Sequence, residues 1–298
     1  GDVYKRQLEE RLDYSNLEGY IFLDGKLLKW TDAKLHVLSH GLHYASSVFE
    51  GERAYGGKIF KELEHTERLI RSANTLGFNI PYGIEEICKI RKDVLEANNI
   101  IDGYIRPVAW RGSEMMGISA QENTIHFAVA AWKWPSYFSP EAKLKGIRLN
   151  ISKWRRPDPT TAPVNTKAAG LYMICTLSKH EAENQGFDDS LMLDYRGYIA
   201  EATGANIFFV KNDEIYTPIA DCFLDGITRQ TVIEIAKKEN FKVTETRLKV
   251  EDLSQYSECF VTGTAAEVTP VKSINEVQFN PGNVCRLLIE KYTKLTLS

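Results

Sequence analysis

The sequence predicts an α+β protein of two domains, on three observations. A length of 298 residues is comfortable for two domains and long for one. Residues 1–132 mix hairpin, helix and strand patterns, whereas residues 147–298 are richer in strands. Between them the stretch KWPSYFSPEAKLKG (133–146) holds two prolines and reads as an interdomain loop.

The elements follow in order. YIFLDGKLLKW (20–30) places two apolar runs around Asp24-Gly25, a strong signal for a two-residue hairpin. HTERLIRSANTLGF (65–78) reads as a helix capped by Thr66, with Leu69, Ile70, Ala73 and Leu76 on one face and Gly77 at its close. IEEICKIRKDVLEANN (84–99) is a second amphipathic helix, and GYIRPVAW (103–110) and TIHFAVAAWKW (124–134) are strands. Beyond the loop, strands are expected at 146–154, 190–201, 205–210, 214–218, 241–248 and 258–263. Helices at 171–187 and 228–240 interrupt them, and there is no internal repeat. A small-molecule site at the domain interface is the natural expectation. Residues 1–7 (GDVYKRQ) show no strand or helix logic and are assigned to no element.

Composition narrows the function. The chain is 43% hydrophobic and 26% charged, which suits a globular protein with a sizeable core. A formal net charge of -3 leaves no basic surplus to neutralise phosphates, so neither nucleic acid nor an anionic membrane is expected as a partner. No apolar run approaches the ~18 residues that span a bilayer. No charged-then-apolar leader is expected from the opening residues. Five scattered cysteines without a C-x-x-C pair suit a reducing cytoplasm and offer no zinc site; no metal is expected.

Several residues carry chemistry. Lys167 in PVNTKAAGLY (163–172) stands among small residues, which leaves room for a carbonyl to approach its amine; a loop lysine would read the same way. Glu201 closes the apolar run Tyr198-Ile199-Ala200, and the Gly204-Ala205-Asn206 turn after it lets backbone approach a ligand. In LDGITRQTVIEIAKK (224–238), Thr228 is a plausible N-cap on a helix whose free N–H groups suit a phosphate. Arg68 falls in the expected first helical turn, where a cation is tolerable if it reaches an anion. VTGTAAEVTP (261–270) offers amides among small residues around Thr264 and Ala265. Tyr104 and Arg106 share one face of their strand, a pairing that suits a carboxylate. An aldehyde for Lys167, a ring nitrogen for Glu201 and a phosphate for Arg68, Ile227, Thr228 and Thr264 together describe pyridoxal 5'-phosphate.

The sequence resembles the fold-type IV pyridoxal-phosphate enzymes, and within them the branched-chain amino acid aminotransferases. The resemblance rests on Glu201, Thr203, Asn206-Ile207-Phe208, Ile215, Thr217, Leu224 and Gly226-Ile227-Thr228-Arg229. It rests also on SHGLHYASSVFEG (39–51), HTERL (65–69), YIRP (104–107), NTKAAGLY (165–172) and GTAAEVTP (263–270). It implies a small N-terminal α/β domain and a larger cofactor-binding domain with a β-barrel-like sheet. It implies that Lys167 forms the Schiff base and shuttles the proton, that Glu201 pairs with the pyridine nitrogen, and that Tyr172 bonds the ring hydroxyl. Arg68, Thr228, Thr264 and the Ile227 amide match the phosphate cup. Tyr104 and the Thr264 and Ala265 amides match the α-carboxylate site, and Arg106 the side-chain carboxylate of glutamate. Phe49, Trp134, Tyr137 and Tyr172 surround the substrate side chain, while Tyr44 and Ile118 reach in from a partner subunit, which makes a homodimer the minimal unit. The implied reaction is ping-pong transamination of leucine, isoleucine or valine with 2-oxoglutarate. Loop WRGSEMMGIS (110–119) departs from the family pattern through Trp110, Arg111 and Glu114 near the rim. It keeps open a broader specificity, including aromatic amino acids or amines, or an (R)-selective amine transaminase; the shared lysine and glutamate also suit a D-amino-acid aminotransferase, and a non-catalytic cofactor-binding protein is a further alternative.

Overall fold

In the computed structural model, residues 13–134 and 144–298 are described. Tyr137, most of the expected interdomain loop and residues 1–7 lie outside the described residues. The chain forms two compact units. The first takes the described residues up to Trp134 and then Thr166–Leu171; the second takes residues 144–165 and Tyr172–Ser298. The expected division gave residues 147–298 to one domain. Instead the chain returns to the first unit for six residues, because backbone at Lys167 and Ala168 bonds to a strand there.

The first unit is a seven-stranded antiparallel sheet carrying two helices. β1 (Tyr20–Leu23) and β2 (Lys26–Lys29) form the expected hairpin, with Asp24 and Gly25 both at positive φ, as a tight twisted turn requires. Three short strands that periodicity does not reveal follow: β3 (Ser47–Phe49), β4 (Glu52–Tyr55) and β5 (Lys58–Ile59). A five-residue helix, α1 (His40–Tyr44), precedes them. Two longer helices, α2 (Glu62–Thr75) and α3 (Ile84–Ala97), lay Leu69, Ala73, Ile87 and Val94 into one core with the sheet. The long strands β6 (Gly103–Arg111) and β7 (Ile125–Lys133) pair along their whole length.

Helix α2 corrects the expected start. It begins at Glu62, four residues before Thr66, and the Thr66 hydroxyl bonds back to the Glu62 carbonyl instead of capping. Arg68 therefore sits in the second turn, away from the dipole end, and needs a different counter-charge.

In the second unit a nine-stranded sheet closes on itself. The strands are β8 (Ile147–Arg156), β9 (Asp189–Asp194), β10 (Ile199–Ala202), β11 (Asn206–Lys211), β12 (Glu214–Pro218), β13 (Val243–Thr246), β14 (Glu258–Gly263), β15 (Glu267–Ile274) and β16 (Val277–Gln278). β8 pairs with β9, β9 with β10, β10 with β11, β11 with β14, β14 with β15, and β15 with β8 again. That ring of six is a closed barrel, matching the β-barrel-like sheet the resemblance implies, and closure leaves those strands no open edge. Residues 190–201, expected as one strand, fold as the β9–β10 hairpin. The Asp194 carboxylate accepts from the Arg196 and Tyr198 amides, and Gly197 takes positive φ. Helices α4 (Met173–Asn184), α5 (Ile227–Lys238) and α6 (Asn283–Thr296) belong to this unit. Among the described residues no helix is long and apolar enough to cross a membrane.

The first unit buries an ion pair outright. Arg91 of α3 donates to Glu52 of β4 at 2.6 Å, both side chains being wholly inaccessible. The same guanidinium donates to the Glu62 carbonyl, the Thr66 hydroxyl and the Cys88 sulfur. Removing one partner strands the other charge in the core. Arg91→Met is expected to cost about 3–5 kcal/mol of unfolding free energy, and the Glu52→Met/Arg91→Met pair markedly less. Urea denaturation checks this; equal losses in the single and double variants would contradict it.

Candidate functional site

The sequence-predicted site residues divide between the units. Tyr44, Phe49, Arg68, Tyr104, Arg106, Ile118, Trp134 and Lys167 lie in the first; Tyr172, Glu201, Gly204, Ala205, Asn206, Ile227, Thr228, Thr264 and Ala265 lie in the second.

Lys167 is held through its backbone. Its N–H donates to the Ser72 hydroxyl at 3.1 Å, its carbonyl accepts from the Phe49 N–H at 3.2 Å, and Ala168 bridges Val48. The small neighbours have a structural use that the sequence reading did not supply. Ala168 is buried, and a Cβ at Gly170 would come within 3.1 Å of the Ala45 Cβ, so small residues let this segment lie against the chain around β3. The side chain reaches an aromatic ring: Lys167 Nζ stands 4.6 Å from the centroid of Phe49. The Arg106 guanidinium stands 4.7 Å from the same centroid and donates to the Tyr104 hydroxyl at 3.0 Å. Tyr104 packs in turn on Trp132 and Trp134. One unit therefore assembles an amine, an aromatic wall, a guanidinium and a phenol.

Arg68 meets a partner that sequence reading missed. Its Nε and Nη2 donate to Glu50 at 2.6 and 2.8 Å, and His65 Nδ1 lies 2.7 Å from the same carboxylate. Burial alone would lift the Glu50 carboxyl, but Arg68 and then His65 hold it well below the usual carboxylate range. Such a fork fixes the guanidinium plane. The available signal was two acids, Glu50 and Glu52, in the apolar run VFEGERAY.

In the second unit Glu201 lies inside β10, not at its exit. It is opposite Asn206 across the hairpin, and Asn206 Nδ2 donates to its Oε2 at 3.3 Å. Arg156, at the end of β8, places Nε 3.3 Å from Oε1. Asn206 also accepts from the Gly226 N–H and donates to the Leu224 carbonyl, which ties the Glu201 turn to the start of α5. That helix corrects another expectation: Gly226 is the N-cap and Thr228 the second helical residue, with no side chain capping the end. Ile227 and Thr228 are both buried there. Gly204 has open space where a Cβ would stand, and Thr264 and Ala265 occupy the turn between β14 and β15.

These residues fit pyridoxal 5'-phosphate. An uncapped twelve-residue helix with a small N-cap suits a phosphate. A carboxylate kept charged by an arginine suits a protonated ring nitrogen. Elsewhere in this unit Asp194, Asp221 and Cys222 bring ligand atoms within 4.8 Å of one another. Arg196 and Arg247 occupy those carboxylates, and hydrogen bonds from Arg196 depress the Asp221 carboxyl to about 2, so the cluster's charge is already matched.

The loop that kept other substrates open is tied down by its own side chains. Arg111 is buried and donates to the Ala120, Leu76 and Gly77 carbonyls. Trp110 stacks on His126, and Glu114 accepts from the Thr124 N–H. Its bulk and charge brace the loop, so they give no ground for an amine substrate.

Comparison with known proteins agrees with this architecture. The amino-transferase class IV family matches residues 47–274. A probable branched-chain-amino-acid aminotransferase of Rickettsia bellii is 49% identical over 280 residues, 93% of this chain and 96% of that protein. The Escherichia coli K12 branched-chain-amino-acid aminotransferase is 39% identical over 269 residues, 88% of this chain and 87% of that one. The crystal structure of the T.th. branched-chain amino acid aminotransferase with pyridoxamine 5'-phosphate superposes with a TM-score of 0.91 at 39% identity, covering 94% of this chain and 95% of that one. With most of its length matched, and with the closed barrel and the uncapped helix lying inside the matched span, the chain belongs to the amino-transferase class IV family.

Proposed function

We propose that this enzyme transfers the amino group of leucine, isoleucine or valine to 2-oxoglutarate with pyridoxal 5'-phosphate. The observation that carries the reading is the Phe49 ring with the Lys167 amine and the Arg106 guanidinium both beside it. An aromatic wall suits a branched aliphatic side chain. A guanidinium beside that wall gives the γ-carboxylate of glutamate a partner without putting a bare charge in its path. Both substrates of the reaction then use one pocket.

The bound cofactor supplies an electron-withdrawing ring that accepts the electron pair left at the substrate α-carbon. Lys167 would hold its aldehyde end, then move the proton from the substrate Cα through Nζ. Glu201 would hold the ring nitrogen protonated, and Tyr172 the ring hydroxyl. Arg68, braced by Glu50, would bind the phosphate with Thr228, Thr264 and the first amides of α5. Tyr104 and the Thr264–Ala265 turn would orient the α-carboxylate. Phe49 and Trp134 would exclude water from the side-chain pocket.

The assignment of Tyr44 and Ile118 to a partner's site has support in exposure. Ile118 is 87% and Tyr44 47% exposed, and Tyr44 donates to the Met116 carbonyl, which joins α1 to the 115–118 loop. Leu35, Val37 and Leu42 are exposed in the same unit. Apolar side chains in such numbers are costly in water and suit a homodimer interface. None of the five cysteines is in a disulfide, which suits the reducing cytoplasm proposed for the enzyme.

Lys167→Ala should form no borohydride-reducible Schiff base with pyridoxal phosphate and lose about a thousandfold or more of turnover. An active variant that still forms it would remove the reading. Arg106→Gln should raise the KM for 2-oxoglutarate on the order of tenfold or more while the half-reaction with L-leucine changes little. Steady-state and single-turnover kinetics separate the two, and equal losses with both substrates would rule out the role given to Arg106. Ile118→Asp should shift the protein from dimer to monomer in light scattering. A wild-type chain that is monomeric and fully active would refute the shared site.

A further inference from the structure

Glu201 has a charged neighbour to which no part of the function above gives a task. Arg156 pairs in register with Asp194 on β9, and Glu201 pairs with Met192 on the same strand. Residues two apart on a strand share a face, and so do cross-strand partners. The barrel therefore puts Arg156 and Glu201 on one face, two strands apart, and the long arginine side chain spans the gap to a 3.3 Å ion pair. Both side chains are close to fully buried, Arg156 at 5% and Glu201 at 11% exposure. The Arg156 Nη1 also donates to the Cys175 sulfur at 3.5 Å, which fixes the guanidinium from helix α4.

We propose that Arg156 is the positioning residue for Glu201: it keeps the carboxylate ionised and aimed before any cofactor arrives. This rests on the reading of Glu201 as the partner of the ring nitrogen. A carboxylate buried without a counter-charge takes up a proton, and a neutral acid no longer favours a pyridinium over a pyridine. Glu201 has a cation in Arg156 at 3.3 Å, and further described neighbours carry no positive charge. Asn206 is neutral. Burial and the Glu201 charge push the Cys175 thiol up to about 11, and burial with Asp194 and Asp221 pushes Cys222 up to about 12, so both thiols stay protonated near neutrality. Asp189, nearby, is an anion partner for Thr203 and adds no positive charge. Arg156 is the cation that holds Glu201 ready.

A double-mutant cycle tests this on the apo-protein, with the dissociation constant for pyridoxal phosphate as readout. Arg156→Met and Glu201→Gln should each weaken binding on the order of tenfold, and the double variant should be no weaker than Glu201→Gln alone, because Arg156 acts only through the carboxylate. Arg156→Lys should recover part of the loss by restoring the charge. Should Arg156→Met fail to fold, Arg156→Lys in the wild-type and Glu201→Gln backgrounds gives the same comparison. Losses that multiply in the double variant would assign Arg156 a merely structural role and overturn the inference while leaving Glu201 in place. A Glu201→Gln protein that binds the cofactor as wild type does would overturn the reading of Glu201 and the inference with it.

Discussion

A carboxylate withdrawn from water must be paired or hydrogen-bonded, and in this fold three buried glutamates have an arginine beside them. Glu50 has Arg68 and His65, Glu52 has Arg91, and Glu201 has Arg156. The first two anions flank Gly51, so one turn of chain carries two buried charges in a sheet otherwise filled by Val48, Ala54 and Ile105. Helices α2 and α3 are placed by those charges as well as by their apolar faces, since each contributes an arginine from the helix side. Neutral residues of similar size would pack there at least as stably. What the ions add is direction: a forked guanidinium has one favourable plane, and Arg68 is held in it.

The contacts around Lys167 follow a related logic. A reactive amine needs a fixed backbone so that its tip always starts from one place. The backbone is fixed by Ser72 of α2, by Phe49 and by the bridge from Ala168 to Val48, all within the first unit. The chain then leaves that unit between Leu171 and Tyr172. Lys167 and Tyr172 thus belong to separate compact units though only five positions apart. Small residues suit this return: Ala168 is buried, and a Cβ at Gly170 would stand 3.1 Å from the Ala45 Cβ.

Much of the fold was legible in local pattern. The Asp24-Gly25 hairpin, the long strands β6 and β7 and the helices α3 and α5 fall within a residue or two of expectation, because each is specified by its own turn chemistry or apolar period. The short strands β3 to β5 were not legible, since two to four residues give no period to count. Helix α2 started early because its N-cap, Lys61, is held in a left-handed conformation and has none of the usual capping chemistry. Glu50, although inside SHGLHYASSVFEG (39–51), and Arg156 were both passed over in the sequence. Arg156 sits 45 positions from Glu201, and only closure of the barrel brings them together. Arg91 had a local signal: it occupies the apolar face of α3 beside Ile87, Ile90 and Val94, where a charge demands a buried partner.

The proposed role of the Phe49 ring would let one pocket serve two unlike substrates. A cation over an aromatic face is stabilised by the ring's quadrupole even where water is scarce. Arg106 can therefore stand against an apolar wall, and it does so with one N–H already committed to Tyr104. When a branched aliphatic side chain fills the proposed pocket, the guanidinium would keep those two partners. When a carboxylate enters instead, the remaining N–H groups of the fork face a charge they can bond directly. The selectivity follows from what happens to the arginine in each case. As proposed, it would tolerate both a methyl group and a carboxylate, but a side chain that brings a further cation would meet Arg106 beside that ring and be opposed by like charge.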